Sequence, residues 1–129
     1  MFKVLVCGGR NFHNYDLVEE VLGSIHIEEE ITLIISGHAK GADSLGERWA
    51  YEHSIECKVF PAKWDLYGKG AGHIRNRKML EEGKPDLVVA FPGGNGTKNM
   101  MDISRKAGVE VIDVQSYILN ELSNEHSFE

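Results

Sequence analysis

Only 3 of the 129 residues are proline and only 2 are cysteine. Few prolines and an ordinary apolar share, 42%, leave no basis for a fibrous or disordered chain. Cys7 and Cys57 sit far apart, each inside a strand-like run. They read as buried thiols, and no short-spaced pair suggests a metal site. No apolar run approaches the roughly 18 residues of a membrane span. The first run, "KVLVC", is also too short for a signal-peptide core, so a cytoplasmic location is expected. Basic charge is scarce as well. Lys and Arg number 14 against 20 Asp and Glu, giving −6. A protein that coats nucleic acid is usually basic, so a polymer partner is disfavoured, although a local basic pocket is not. Finally, neither G-x-G-x-x-G nor G-x-x-x-x-G-K-[ST] occurs, which leaves NAD-type hydride chemistry and P-loop hydrolysis unsupported.

What is present is a regular alternation. Strand-like runs cover 3–7, 31–36, 56–60, 86–91 and 109–114. Helix-period segments cover 15–25, 42–53, 71–83, 97–108 and 115–122, and the polar stretch 123–129 reads as a frayed tail. Asn14 or Asp16 can cap the first helix, and Gly83 and Gly108 can stop the third and fourth. Strand and helix alternating with short connections specify parallel strands joined by helical crossovers. "ITLIIS" and "DLVVAF" are apolar on consecutive residues, as strands covered on both faces are. One Rossmann-like three-layer α/β domain over 1–122 is expected, with a five-stranded parallel sheet in the order 3-2-1-4-5.

In such a sheet the strand C-termini share one edge, and ligands bind there near the switch point. Three of these strands end in glycine turns: "CGGRNF" (7–12), "SGHAKGAD" (36–43) and "FPGGNGT" (91–97). A helix N-terminus presents unpaired N–H groups and a partial positive charge, and glycine lets an anion approach them. A single such turn needs only its backbone conformation to explain it. Three converging turns favour a phosphate-bearing ligand. The expected cradle comprises backbone N–H groups of residues 8–10, 37–42 and 93–97. Its residues are Gly8, Gly9, Gly37, Gly41, Ala42, Pro92, Gly93, Gly94 and Gly96, helped by Arg10 and by the Ser36 and Thr97 hydroxyls.

The segment 61–78 adds charge. It holds Lys63, Lys69, Arg75, Arg77 and Lys78 against Asp65 alone, 5 − 1 = +4. Lys69 and Arg77 are candidates for the anion, whereas Arg75 and Lys78 can equally be a solvated helix face. Trp64 and Tyr67 can stack on a base or cap the core. Asp43 can take a ribose hydroxyl or simply sit favourably in a first helical turn. His38 and His73 can act as acid or phosphate donor, or be ordinary polar loop residues. No cofactor or metal is expected.

Together "GGRNF", "SGHAKGADSLGERWA", "PAKWDLYGKGAGHIRNRKML" and "PDLVVAFPGGNGT" resemble the SLOG superfamily, which contains the Smf/DprA proteins and the Lonely Guy phosphoribohydrolases. Within it the chain is most similar to the YspA-type, cpYpsA-related branch. The resemblance implies binding of a nucleotide or nucleotide-derived ligand at the strand edge, as a sensor or signalling module. From the Lonely Guy enzymes it implies, alternatively, cleavage of an N-glycosidic bond in a nucleoside 5′-monophosphate, and a homodimer. From Smf/DprA it implies single-stranded nucleic-acid binding. The Lonely Guy hallmarks are P-G-G-x-G-T-x-x-E and M-x-x-R-K. Here "PGGNGT" matches through Thr97, Ile74 replaces the Met, and Arg77 and Lys78 are in place. The final Glu is replaced by Met100. Glycosidic cleavage wants a carboxylate to stabilise an oxocarbenium-like state or activate water, and Met can do neither. Asp43 or Glu47 would have to serve, with Arg77 as the catalytic cation.

Overall fold

The computed structural model describes residues 1–118 of the chain. Five strands, β1 (Lys3–Cys7), β2 (Leu33–Ser36), β3 (Glu56–Val59), β4 (Leu87–Ala90) and β5 (Glu110–Asp113), form one parallel sheet in the order β3-β2-β1-β4-β5. The helices are α1 (Tyr15–Glu28), α2 (Ala42–Glu52), the single turn α3 (Trp64–Tyr67), α4 (Ala71–Gly83) and α5 (Asn95–Lys106). A 3-10 turn, Gly68–Gly70, joins α3 to α4.

Alternation along the central strand divides the core into two layers. Val4 and Val6 point to one side, where Val18 and Leu22 of α1 and Trp49 of α2 cover them. Leu5 and Cys7 point to the other, against Met79 of α4 and Met100 of α5. β4 is buried along its whole length, as its unbroken apolar run requires. β3 is an edge strand with an exposed pattern, which its mixed sequence "ECKV" suits. Gly46 lets α2 press onto β1, because an added Cβ there would lie 2.9 Å from Val6 Cγ1.

Several boundaries differ from expectation for local reasons. α1 continues to Glu28, held from its start by Asn14 Oδ1, which accepts from Leu17 N at 3.1 Å. α5 begins at Asn95, two residues early. Gly83 stays inside α4 and packs on Ile35, and Lys84, in the left-handed region at φ 49, ends that helix. Gly108, at φ 79, follows α5 as expected. The α3 turn was not foreseen, since four residues carry no helical period. Residues 114–118 are helical. The rest of the expected last helix, and the expected tail, lie outside the described residues.

Candidate functional site

The parallel register sets the ends of β1, β2 and β4 side by side, with Val6 opposite Ser36 and Cys7 opposite Ala90. The three glycine turns therefore meet at the switch point. Gly9 joins them: its N–H donates to Pro92 O at 2.9 Å, and its carbonyl accepts from Phe12 N at 3.2 Å and Ala42 N at 3.1 Å. These contacts leave no space for side chains. A Cβ on Gly8 would lie 2.5 Å from Ala42 Cβ, and one on Gly9 would lie 2.9 Å from Pro92 O. Added Cβ atoms on Gly41 and Gly93 would run into the backbone of residues 8–10, and one on Gly37 into the Arg75 guanidinium. Gly94 and Gly96 differ, because a Cβ there would meet nothing within 4 Å.

Above the switch point opens a cleft of about 350 Å³. Nine expected residues line it: Gly8, Gly9 and Arg10 from the first turn, Asp43 from α2, Lys69 and His73 from the α3–α4 region, Gly94 just before α5, and Gly96 and Thr97 from its first turn. No side chain caps α5, so the N–H groups of its first turn stay unpaired by the helix. The Thr97 hydroxyl has no hydrogen-bond partner among the described residues. The floor is apolar, made by Cys7, Met79 and Met100, with Met100 fully buried where the glycosidase pattern has its Glu. Burial raises the Cys7 thiol far above its usual value, with Asp43 adding to the rise, so it stays protonated.

The turn after β2 departs from expectation. Three of its amides are taken within the protein: His38 N donates to Ser36 Oγ at 3.1 Å, Ala39 N to Asp43 Oδ2 at 3.1 Å, and Ala42 N to Gly9 O. Ser36 Oγ donates to Glu47 Oε2 at 2.8 Å, and Glu47 also holds His38 Nδ1 at 3.0 Å. Ser36, His38 and Glu47 thus form a closed trio outside the cleft, as Gly37, Gly41 and Ala42 are outside it. Pro92 and Gly93 line separate grooves.

Arg77 also lies away from this cleft. It is exposed on α4 and lines no part of the cleft, whereas Arg75 does. Two positions amount to about 200° around a helix, so the two arginines face opposite ways. The signal for Arg75 lay in the spacing: Ala71, Met79 and Gly83 are buried, and Arg75 falls in the same every-fourth-residue row. Its Nη1 donates to Gly37 O and its Nε to Asn76 Oδ1 at 3.0 Å. Asn76, buried, donates in turn to Gly96 O at 3.1 Å and Asn99 Oδ1 at 3.0 Å. This relay fixes α4 against the first turn of α5, and among the described residues Nη2 of Arg75 has no hydrogen-bond partner. Burial lowers the Arg75 pKa, opposed by Asp43 and reinforced by Arg10.

Among the described residues Asp43 is the one carboxylate that lines the cleft, and it is only 6% exposed. Burial pushes its pKa up to about 6, against the lowering effects of the Ala39 N–H and Arg75. At the rim, Arg10 lies over the Trp64 ring, 5.5 Å from its centroid. Among the described residues no cluster of His, Cys, Asp and Glu could hold a metal ion, and no helix is long and apolar enough to cross a membrane.

The family model for YspA, cpYpsA-related SLOG proteins matches residues 2–67, just over half of the chain. The chain belongs to the YspA, cpYpsA-related SLOG family. It is also 32% identical over 121 residues to the Gene 61 protein of Mycobacterium phage D29, covering 88% of this chain and 96% of that one. No solved structure matches it significantly. The SLOG match takes in the first two glycine turns and ends at Tyr67. The open N-terminus of α5, Arg75 and Asn76 all lie beyond it.

Proposed function

We propose that this SLOG domain binds a nucleotide-type ligand in the switch-point cleft, its phosphate resting on the N-terminus of α5. One observation carries this reading. Uncapped amides beside Gly94 and Gly96, and the unpartnered Thr97 hydroxyl, face a cleft bordered by Arg10, Lys69 and Arg75, in a chain of net charge −6. Dipole, donors and cations all favour an anion there. The cleft volume lies within the usual range for small-molecule sites. Asp43 sits where it can accept from a sugar hydroxyl or a base amine. Titration calorimetry against mono-, di- and cyclic nucleotides tests the proposal. Heat for at least one of them, with affinity weakened about tenfold in Thr97→Ala or Arg75→Ala, is expected. A folded protein giving none rejects it.

A second reading is N-glycosidic cleavage of a nucleoside 5′-monophosphate. The position of Asp43 favours it: a buried cleft carboxylate with a pKa near 6 is suited to acid–base work at neutral pH. Glu47, tied to Ser36 and His38 outside the cleft, has no part in it. Chromatography of nucleotide mixtures after long incubation should then show free base with wild type and none with Asp43→Asn.

A further inference from the structure

A second groove, of about 310 Å³, runs along the exposed edge strand β3 and the outer side of α4. Among the described residues its cations are Lys58, Lys63, Lys78 and Arg75, and its one acid is Glu82, which pairs loosely with Lys78 at 3.8 Å. Arg75 lines both the groove and the switch-point cleft. The α3 turn stands between them and offers an aromatic ring to each, Trp64 to the cleft and Tyr67 to the groove. Both rings are nearly half exposed, at 46% and 47%. Of nine exposed large apolar side chains among the described residues, five fall in the 59–74 stretch: Val59, Trp64, Leu66, Tyr67 and Ile74.

Exposed rings between cations on an acidic protein need a partner with both flat faces and negative charge. A second copy of this chain, docking by two-fold symmetry, would set the same lysines against one another. Aromatic stacking combined with Lys and Arg contacts is how single-stranded nucleotides are held.

We propose that the natural ligand is a linear 5′-phosphorylated dinucleotide. This rests on the nucleotide reading above and deepens it. The 5′-phosphate sits on α5 and the first base stacks at Trp64. The linking phosphodiester meets the unengaged Nη2 of Arg75, and the second base stacks on Tyr67 among Lys58, Lys63 and Lys78. The groove serves as a specificity subsite that a mononucleotide leaves empty.

The test is calorimetry at one fixed salt concentration with pA, pApA and the ten-residue oligomer p(A)10. Binding of pApA about tenfold or more tighter than pA is expected from one added charge-assisted contact and one stacked base. p(A)10 should gain little more. The double variant Lys58→Ala/Lys78→Ala and, separately, Tyr67→Ala should erase the pApA advantage. Both should leave pA affinity within about twofold and thermal unfolding unchanged, because these side chains are exposed. Equal affinity for pA and pApA, or an advantage that survives these variants, overturns the dinucleotide proposal while leaving the nucleotide reading intact. A steep further rise with p(A)10 overturns it in favour of a polymer. Absence of binding by all three, and by the corresponding guanine, cytosine and uracil mono- and dinucleotides, overturns both.

Discussion

The turns after β2 and β4 look alike as strings of letters, yet they solve different problems. In the first, Gly37 and Gly41 are crowded by Arg75 and by residues 9–10, and the amides of His38, Ala39 and Ala42 are satisfied within the protein. In the second, Gly94 and Gly96 border empty space and the helix they start is uncapped. Glycine thus marks two things here: where backbones must touch, and where a backbone must stay accessible. The β2 turn is a structural joint that brings Asp43 into place, and the β4 turn leaves the start of α5 accessible.

The sharpest way to break this contrast is Gly41→Ala. Gly41 has φ +78, and its new Cβ would collide with Gly9 O, the acceptor that ties the turn after β1 to the start of α2. Left-handed strain and the clash together should cost about 3 kcal/mol or more. Chemical denaturation would measure it. Stability within 0.5 kcal/mol (roughly the range of a neutral surface change) would mean that the joint does not exist as described.

The sequence revealed the sheet because each buried strand is a short apolar run bounded by turn residues, which few other arrangements allow. It revealed that three turns converge, but not which of them stays open. That depends on partners such as Gly9 O and Ser36 Oγ, which lie 33 and 2 residues from the amides they bind. The choice between Arg75 and Arg77 shows the same limit. The motif resemblance favoured Arg77, while the row Ala71, Met79, Gly83 identified the buried side of α4 and so Arg75. Three-dimensional periodicity was the better guide because a motif does not record which face of its helix is covered.

The next largest effect concerns Asp43. Its folded pKa, about 6, lies above the ordinary carboxylate value of 3.8, so the folded state holds its proton over a pH range where the unfolded chain has lost it. Stability therefore falls as pH rises from about 4 to about 6 and stays lower above that. Asp43→Asn should remove this cost while the side-chain oxygen still accepts from Ala39 N. The variant should be more stable by on the order of 2 kcal/mol at pH 8, with the gain fading towards pH 4. Thermal melts across pH 4–8 would show it. A gain independent of pH would mean that the carboxyl is not desolvated.

Smaller again is the pair Arg75→Ala and Arg77→Ala. The first removes a cation from the cleft and should weaken nucleotide binding about tenfold, the loss of one charge-assisted contact. The second should leave binding unchanged. Equal losses would return Arg77 to the site and contradict the orientation of α4.

The smallest effect on stability separates the two turns most cleanly. Gly96 is the second residue of α5, its Cβ position is open, and its backbone is not in the left-handed region. Gly96→Ala should raise stability by up to about 0.5–1 kcal/mol, since alanine costs less chain entropy in a helix. Gly96 lines the cleft, so the same methyl group would crowd a phosphate bound there as proposed, and binding should fall while the fold becomes firmer. A variant both more stable and still binding at full strength would show that the ligand does not approach α5. A destabilised one would show that the turn after β4 is packed like the turn after β2.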